Sequence, residues 1–488
     1  MGIFDRAANW IKGVLNKMLN KTIIKDKLGY EVSVSAEMSN ALRLWSAMYA
    51  GKPSWVNKDI KTLGLPSAIA NEIARAVTLE MEVTVEGGVR ADYLNEQIQK
   101  AIPQMRQAVE YGVAKGGLIF KPYVSGDSIL IDFIQADQFY PIEFDTDGRI
   151  TGCVFIDKKT IVGNYYTRLE VHMTVENGVE IKNVAFKSES PHHLGTETQL
   201  QNIPVWKDIE PVATITGVDS PLFAYFKFPL ANTIEAGSPL GVSCFSRAVG
   251  LIEQADRLWS SLLWEFESGE RAVFIDELAF GKDDRGKPVL PNRRLYRTID
   301  TGSQQSDFFK EWSPTYREQN ILNGLDSVLK RIEFATGLAY GTISDPISVE
   351  RTATEIVISR QRSYSTIVDT QKALQSAIED LLVAMDTWAT LFKLSAKGDY
   401  EATFAFDDST VVDKATQLAN DLQLVSAGLI SKVEFRMRNF GEDEKTAEKA
   451  LQKVSEESSF DDFGDEPEEE EEEEVKEETD KPKQKEVK

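Results

Sequence analysis

Tyr364, Ile367, Gln371, Leu374, Ile378, Leu381, Met385, Trp388 and Phe392 follow one another at alternating spacings of three and four residues. Four heptads of that alternation hold one apolar seam on a single helix face, and neither strand nor loop shares the period. The spacing predicts a helix from about Glu350 to Leu394, roughly 65 Å long at about 1.5 Å per residue. One small domain cannot cover so long a seam. Leu374, Ile378, Leu381, Met385 and Trp388 are therefore expected to pack against neighbouring subunits. An intramolecular helical hairpin is the alternative, and spacing alone leaves both open.

The rest of the chain supplies other periods. Residues 1–27 read as an amphipathic helix, with Ile3, Ala7, Ile11, Val14 and Met18 on one side and six Lys/Arg against two Asp. Such a segment docks on a neighbouring subunit or lies on an anionic membrane. Helical patterns follow from Tyr30 to Ala76 and over about 91–115. Strand patterns occupy 118–124, 128–134, 139–144, 149–157, 163–176 and 178–187, with Gly126-Asp127, Asp147-Gly148 and Asn177-Gly178 marking tight turns. They read as an antiparallel meander that ends with 222–228. After Gly237, Val242, Phe245, Val249, Ile252, Asp256, Trp259, Leu263 and Phe266 predict a helix of about 27 residues. A partly β segment at 271–316 leads to a second helix marked by Ile321, Leu325, Val328 and Ile332. Beyond the long helix, helical patterns at 411–427, 431–438 and 443–454 reach the C-terminal end.

Composition narrows the function. The 488 residues carry a formal charge of −23. Seventeen acids and five lysines lie between Glu456 and Lys488, so that end holds −12 and the other 455 residues share −11. Seven consecutive glutamates, Glu468 to Glu474, repel one another and predict a disordered tail. The mildly acidic remainder argues against a protein that grips nucleic acid through a basic face. The longest apolar runs, such as Leu258–Leu263, fall far short of a membrane helix, so no membrane partner is expected. No basic–apolar–small leader opens the sequence. Two cysteines, Cys153 and Cys244, suit a reducing cytosol rather than a disulfide framework.

The search for chemistry comes back empty, and neither cofactor nor metal is expected. GxxxxGK[ST] and GxGxxG are both absent, and Ser243 lacks the second glycine of a nucleophile elbow. Ser327 and Lys330 form an S-x-x-K string inside a helix, without its companion motifs. Asp145, Asp147 and Gly148 open like a calcium loop but lack its distal glutamate, so a hairpin turn fits better. His192-His193 sits in a polar loop, and Asp276, Glu277, Asp283 and Asp284 fit a charged turn as well as a magnesium site.

Several strings, taken in order, resemble the portal proteins of tailed bacteriophages, in the siphophage branch of Gram-positive hosts. They are LWSAMYAGKPSW (Leu44–Trp55), AKGGLIFKPY (Ala114–Tyr123), ILIDFI (Ile129–Ile134), FYPIEF (Phe139–Phe144), GSPLG (Gly237–Gly241), GTISDP (Gly341–Pro346) and RTATEI (Arg351–Ile356). The resemblance covers about 30–400; the polyglutamate end lies outside the family pattern.

The resemblance implies an α+β portal-type fold assembled as a ring, usually of twelve subunits. Its expected parts are an amphipathic segment 1–29, a β-rich wing 30–241, a stem helix 242–270, a β-bearing clip 271–316 and a returning stem helix 317–337. A tunnel loop 338–350, a long helix 351–398, a small helical crown 399–455 and the acidic tail 456–488 complete it. Thr342, Ser344, Asp345, Ser348 and Arg351 would face DNA in the tunnel loop. Arg285, Lys287, Arg293, Arg294 and Arg297 would form the clip's docking rim for terminase or the adaptor. Further implied partners are capsid and scaffolding proteins, head-completion and tail proteins, and double-stranded DNA passing without sequence specificity. The ring would assemble in the host cytoplasm and reside in the virion. Two other classes compete: a membrane- or partner-associated helical scaffold, and a metal-dependent polymer hydrolase built on Glu277, Asp283 and Asp284. Native mass separates a ring from both.

Overall fold

The computed structural model describes residue 22 and residues 24–191, 193–276, 289, 295–299, 309–344, 353–406 and 414–460. The chain divides into two compact units, Met1–Asp407 and Asp408–Lys488. Most of the expected N-terminal helix and the acidic tail beyond Phe460 lie outside the described residues. Among the N-terminal residues described, Ile24–Leu28 form one π-helical turn, and Ile24 is buried with Tyr140, Val154, Leu169, Val171 and Phe186.

In the first unit, Ser35 caps helix α1 (Ala36–Tyr49) by accepting the Met38 amide, and Met38, Leu42, Trp45 and Met48 form its buried stripe. Helix α2 (Leu65–Thr78), strand β1 (Met81–Gly87) and helix α3 (Val89–Lys115) follow. Thus the helical pattern read over 30–76, with Gly51-Lys52-Pro53 ending its helix, is two helices, the first of which stops at Tyr49. The loop between them is held by polar groups: the Trp55 indole donates to Asp256 Oδ2 at 2.9 Å, and the Leu63 amide donates to Asp256 Oδ1 at 2.8 Å.

The expected meander is two sheets. β2 (Gly117–Ser125) pairs with β3 (Ser128–Gln135), while β4 (Phe139–Phe144), β5 (Ile150–Ile161), β6 (Asn164–Val175), β7 (Gly178–Ser188) and β8 (Thr196–Thr198) form the larger antiparallel sheet. β9 (Val212–Thr216) pairs with the first part of β7. β10 (Ala224–Lys227) does not end the meander; it returns to pair antiparallel with β2. Leu118, Ile119 and Phe120 are all fully buried, which is why β2 reads as an unbroken apolar run rather than an alternating one.

The two sheets are pinned by a buried ionic cluster. Lys121 on β2 donates to Glu170 on β6 at 2.6 Å, and Arg168 and His172 approach the same carboxylate at 2.9 and 2.8 Å. Phe155 lies under the Lys121 ammonium, 5.0 Å from ring centre to Nζ. Burial alone would raise Glu170, but Lys121, His172 and Arg168 outweigh it and hold the carboxyl well below its ordinary range. Burial pushes His172 down, more than its bond to Glu170 lifts it.

Helix α4 (Val249–Ser268), strands β11 (Ala272–Asp276), β12 (Tyr296–Ile299) and β13 (Phe309–Trp312), and helix α5 (Glu318–Thr336) come next. β11 is central, parallel to β12 and antiparallel to β13. Helix α4 starts later than the spacing predicts, after a 3₁₀ turn at Ser246–Ala248. Val242 and Phe245 fit the period because both are buried, yet the Cys244 amide donates to Val113 O at 3.1 Å, a bond outside any helix.

Helix α6 (Ala353–Leu391) is the longest element. Its seam is filled from within the chain. Leu374, Ile378, Leu381 and Met385 have no exposure, and α6 packs against β10, β2, α2 and α3. The expectation that these four face neighbouring subunits is therefore corrected: a three-stranded sheet with helices beside it covers a long stripe as well as another helix does. Trp388, only partly buried, packs beside Val179, Ile181, Ile215 and Leu222 of the chain itself. After α6, β14 (Tyr400–Phe406) pairs with β1 along its length, so 399–455 does not begin as a helical region.

The second unit contains α7 (Lys414–Ser426), α8 (Lys432–Phe440) and α9 (Glu444–Phe460). Ser431 caps α8 by accepting the Glu434 amide at 3.0 Å, and Asn439 donates to Asp421 Oδ2 at 2.8 Å. α9 runs to Phe460, five residues into the segment expected to be disordered.

Candidate functional site

The connection between α5 and α6 begins with a tight stop. Gly337 takes the left-handed conformation, φ 77°, and its amide donates to Glu333 O. A Cβ at Gly337 would lie 2.4 Å from Thr366 Oγ1, so only glycine lets α6 approach this closely. Leu338 is buried immediately after it.

The chain then wraps around one side chain. Glu333 is fully buried, and its Oε1 accepts the amides of Gly341, Ile343 and Ser344 at 3.0, 2.8 and 3.0 Å. Its Oε2 accepts the Ser344 hydroxyl at 2.8 Å. Neighbouring amides curled to face one point make an anion cradle; here the chain's own carboxylate occupies it, while the Thr342 amide turns away to Ala339 O. Arg362 of α6 lies over Phe334, 4.3 Å from the ring centre, and 5.9 Å from that of Tyr340.

This geometry sorts the residues expected to face DNA. Thr342 is exposed, and its hydroxyl donates to Ala339 O at 2.6 Å. Ser344 is 5% exposed and its hydroxyl is taken by Glu333, so its assignment to a DNA-facing surface is corrected. Asp345, Ser348 and Arg351 lie outside the described residues. Of the residues expected on the docking rim, Arg297 is exposed on β12, beside Phe274 in the ladder. Arg285, Lys287, Arg293 and Arg294 lie outside the described residues, as do Glu277, Asp283 and Asp284.

Three arrangements escaped the sequence reading. Glu265 of α4 accepts Arg317 through its amide, Nε and Nη2 at 3.0, 3.2 and 2.9 Å, and the Tyr316 hydroxyl donates to Gly269 O at 2.9 Å. Both ends of the 271–316 segment are thereby tied to one place. Arg90, 1% exposed, closes the far end of α6: it donates to Thr390 Oγ1 at 3.2 Å and to the carbonyls of Ser395 and Ala396 at 3.1 Å. Finally, the Ala114–Tyr123 and Gly237–Gly241 strings cross. A Cβ on Gly116 would lie 2.6 Å from Gly241 O, and the Gly241 amide donates to the Tyr225 hydroxyl at 3.1 Å.

The weaker chemical motifs have structural explanations. Ser327 Oγ donates to Asn323 O at 2.9 Å, and Lys330 pairs with Asp326 at 2.6 Å. Asp145 Oδ1 accepts the amides of Asp147 and Arg149 at 2.9 and 2.7 Å, closing a turn. Cys153 and Cys244 are free and buried. Among the described residues no group of three or more His, Cys, Asp or Glu could hold a metal, and no helix is long and apolar enough to cross a membrane.

No curated protein sequence matches the chain. Among solved structures, one described as "Neck of native GTA particle computed with C12 symmetry" is similar over 82% of this chain and 98% of that one. At 13% identity and a TM-score of 0.36, that likeness carries no argument. A family model described as "Phage portal protein, SPP1 Gp6-like" matches residues 92–480, from within α3 to beyond α9. With a match over most of its length, and with a mixed helix-and-sheet fold, the chain belongs to the SPP1 Gp6-like family of phage portal proteins, which is structural and not enzymatic.

Proposed function

We propose that the chain is the head–tail connector of a tailed phage, closing into a ring, usually of twelve copies, at one capsid vertex. Terminase pumps double-stranded DNA through the ring during packaging, and DNA leaves by the same route at ejection. The observation that carries this reading is the family match over 92–480. In the proposed ring, α4 and α5 are stem helices and 271–316 the clip. The connection from 338 is the tunnel loop, α6 the long helix behind it, and the helices of the second unit the crown.

Two physical features support the assignment. The segment between α4 and α5 leaves and returns at the Glu265–Arg317 pair, the anchorage a projecting docking element needs. Arg297 on that segment is an exposed cation suited to terminase or, later, an adaptor. The charge balance also fits a conduit. Each phosphate neutralised by Lys or Arg releases counterions and adds affinity, so a channel of net acidic chains lets DNA slide without sequence preference. The ring then needs no phosphate-cradling loop of its own, because hydrolysis belongs to terminase. Capsid, scaffolding and tail proteins complete its partners; it would assemble in the host cytoplasm and remain in the virion.

Supplying the chain to a phage that lacks its portal gene tests the reading. Restored DNA-filled heads are expected, whereas heads that stay empty beside correctly assembled rings would contradict it.

A further inference from the structure

In the sequence, Gly337 and Gly341 read only as glycines of a loop that breaks the helix. The structure gives both a different role. Gly337 is a helix stop with Thr366 against it, and Gly341 presents its amide to Glu333 Oε1 at 3.0 Å while sharing it with Ser344 Oγ at 3.2 Å. Displacing this stretch means withdrawing four donors from a carboxylate that has no access to water. A buried carboxyl stripped of its donors suffers the full desolvation penalty. Residues 337–344 are thus fittings fixed to α5, and Arg362 over Phe334 and Tyr340 holds the same stretch to α6.

We infer that Glu333 is a positioning residue: a latch that fixes the start of the connection between α5 and α6, and through it the path offered to DNA. The functional half of this inference rests on the conduit reading above; the geometric half does not. Side-chain chemistry separates the variants. Glu333→Ala leaves the three amides and the Ser344 hydroxyl without their acceptor. Glu333→Gln keeps a carbonyl for the amides, and its NH₂ can donate to Ser344 Oγ, so the cradle stays filled. Ser344→Ala removes one bond of the four and leaves the carboxylate in place.

The test is hydrogen exchange on assembled rings, paired with DNA retention in particles built from the same variants. Glu333→Ala should speed exchange of the Gly341, Ile343 and Ser344 amides by about 10- to 100-fold. Particles containing it should retain less DNA, while Glu333→Gln stays close to wild type in both readouts. If Glu333→Ala does not assemble, Ser344→Ala carries the test, with smaller changes of the same sign. Unchanged exchange would overturn the latch. Faster exchange with wild-type DNA retention would overturn its role in the conduit. Should the wild-type chain itself fail to support packaging, the conduit reading falls, and the latch is judged by exchange alone.

Discussion

The long helix α6 and the stretch of chain that follows α5 are held by contrasting means. Toward its C-terminal half, Leu374, Ile378, Leu381 and Met385 are buried without exposure against the chain's own sheet and helices. Just beyond α5, residues 341–344 are held by polar bonds to the single buried carboxylate of Glu333. Apolar burial is non-directional and tolerates many partners, whereas a carboxylate cradle fixes a backbone path donor by donor. The first arrangement supplies stability; the second supplies position.

The largest effect expected from breaking this contrast is at the apolar end. Leu374→Asp together with Ile378→Asp should abolish the folded chain rather than release folded subunits. Each buried, unpaired carboxylate costs at least about 3 kcal/mol, against roughly 5–15 kcal/mol of total stability. Circular dichroism and size-exclusion chromatography decide it: a soluble, folded monomer would return these residues to an interface between subunits.

The spacing alone left both coverings of this stripe open, and the reason is physical. A three-four spacing establishes that a stripe must be covered, and it says nothing of what covers it. The hairpins were legible because Gly126, Asp147-Gly148 and Asn177-Gly178 are local signals. The β1–β14 pairing was not, since Met81 meets Phe406 across most of the chain. Glu333 looks like one more solvated helix residue, although it shares the buried stripe of α5 with Leu325, Ile332 and Thr336. One residue past Ile332, it falls outside the Ile321–Leu325–Val328–Ile332 period, so the local pattern carried no signal for its burial. The glycine strings flanking 116 and 241 could be quoted separately, but their crossing requires the fold.

A smaller loss is expected at the polar closure of α6. Arg90→Met keeps most of the volume yet leaves the Ser395 and Ala396 carbonyls without their donor and Asp386, 3.4 Å away, without its cation. About 3 kcal/mol of destabilisation follows, read as a lower denaturant midpoint together with faster amide exchange over 386–396. An unchanged midpoint would show that apolar packing alone secures this end.

The smallest effect is pH dependence, which belongs to the polar fastenings and not to the apolar face. His172, packed among Phe155, Phe223, Lys121, Arg168 and Glu170, is depressed below its ordinary 6.5, chiefly by burial. Below that pH the unfolded chain binds a proton that the folded chain refuses, so stability is full above about 6.5 and declines as pH falls. Glu170, depressed below its ordinary 4.5, adds a second loss of the same sign at lower pH. Melting temperatures at neutral and mildly acidic pH should therefore fall in wild type and fall less in His172→Gln. Equal slopes would place the acid sensitivity elsewhere.

Whether copies of this chain close into one ring is read from the native mass of the purified assembly. A single closed species at a whole multiple of the 54.6 kDa chain is expected, twelve being the usual count, with an axial channel visible by electron microscopy. A monomer or open-ended chain of subunits, persisting at micromolar concentration and physiological salt, would contradict it.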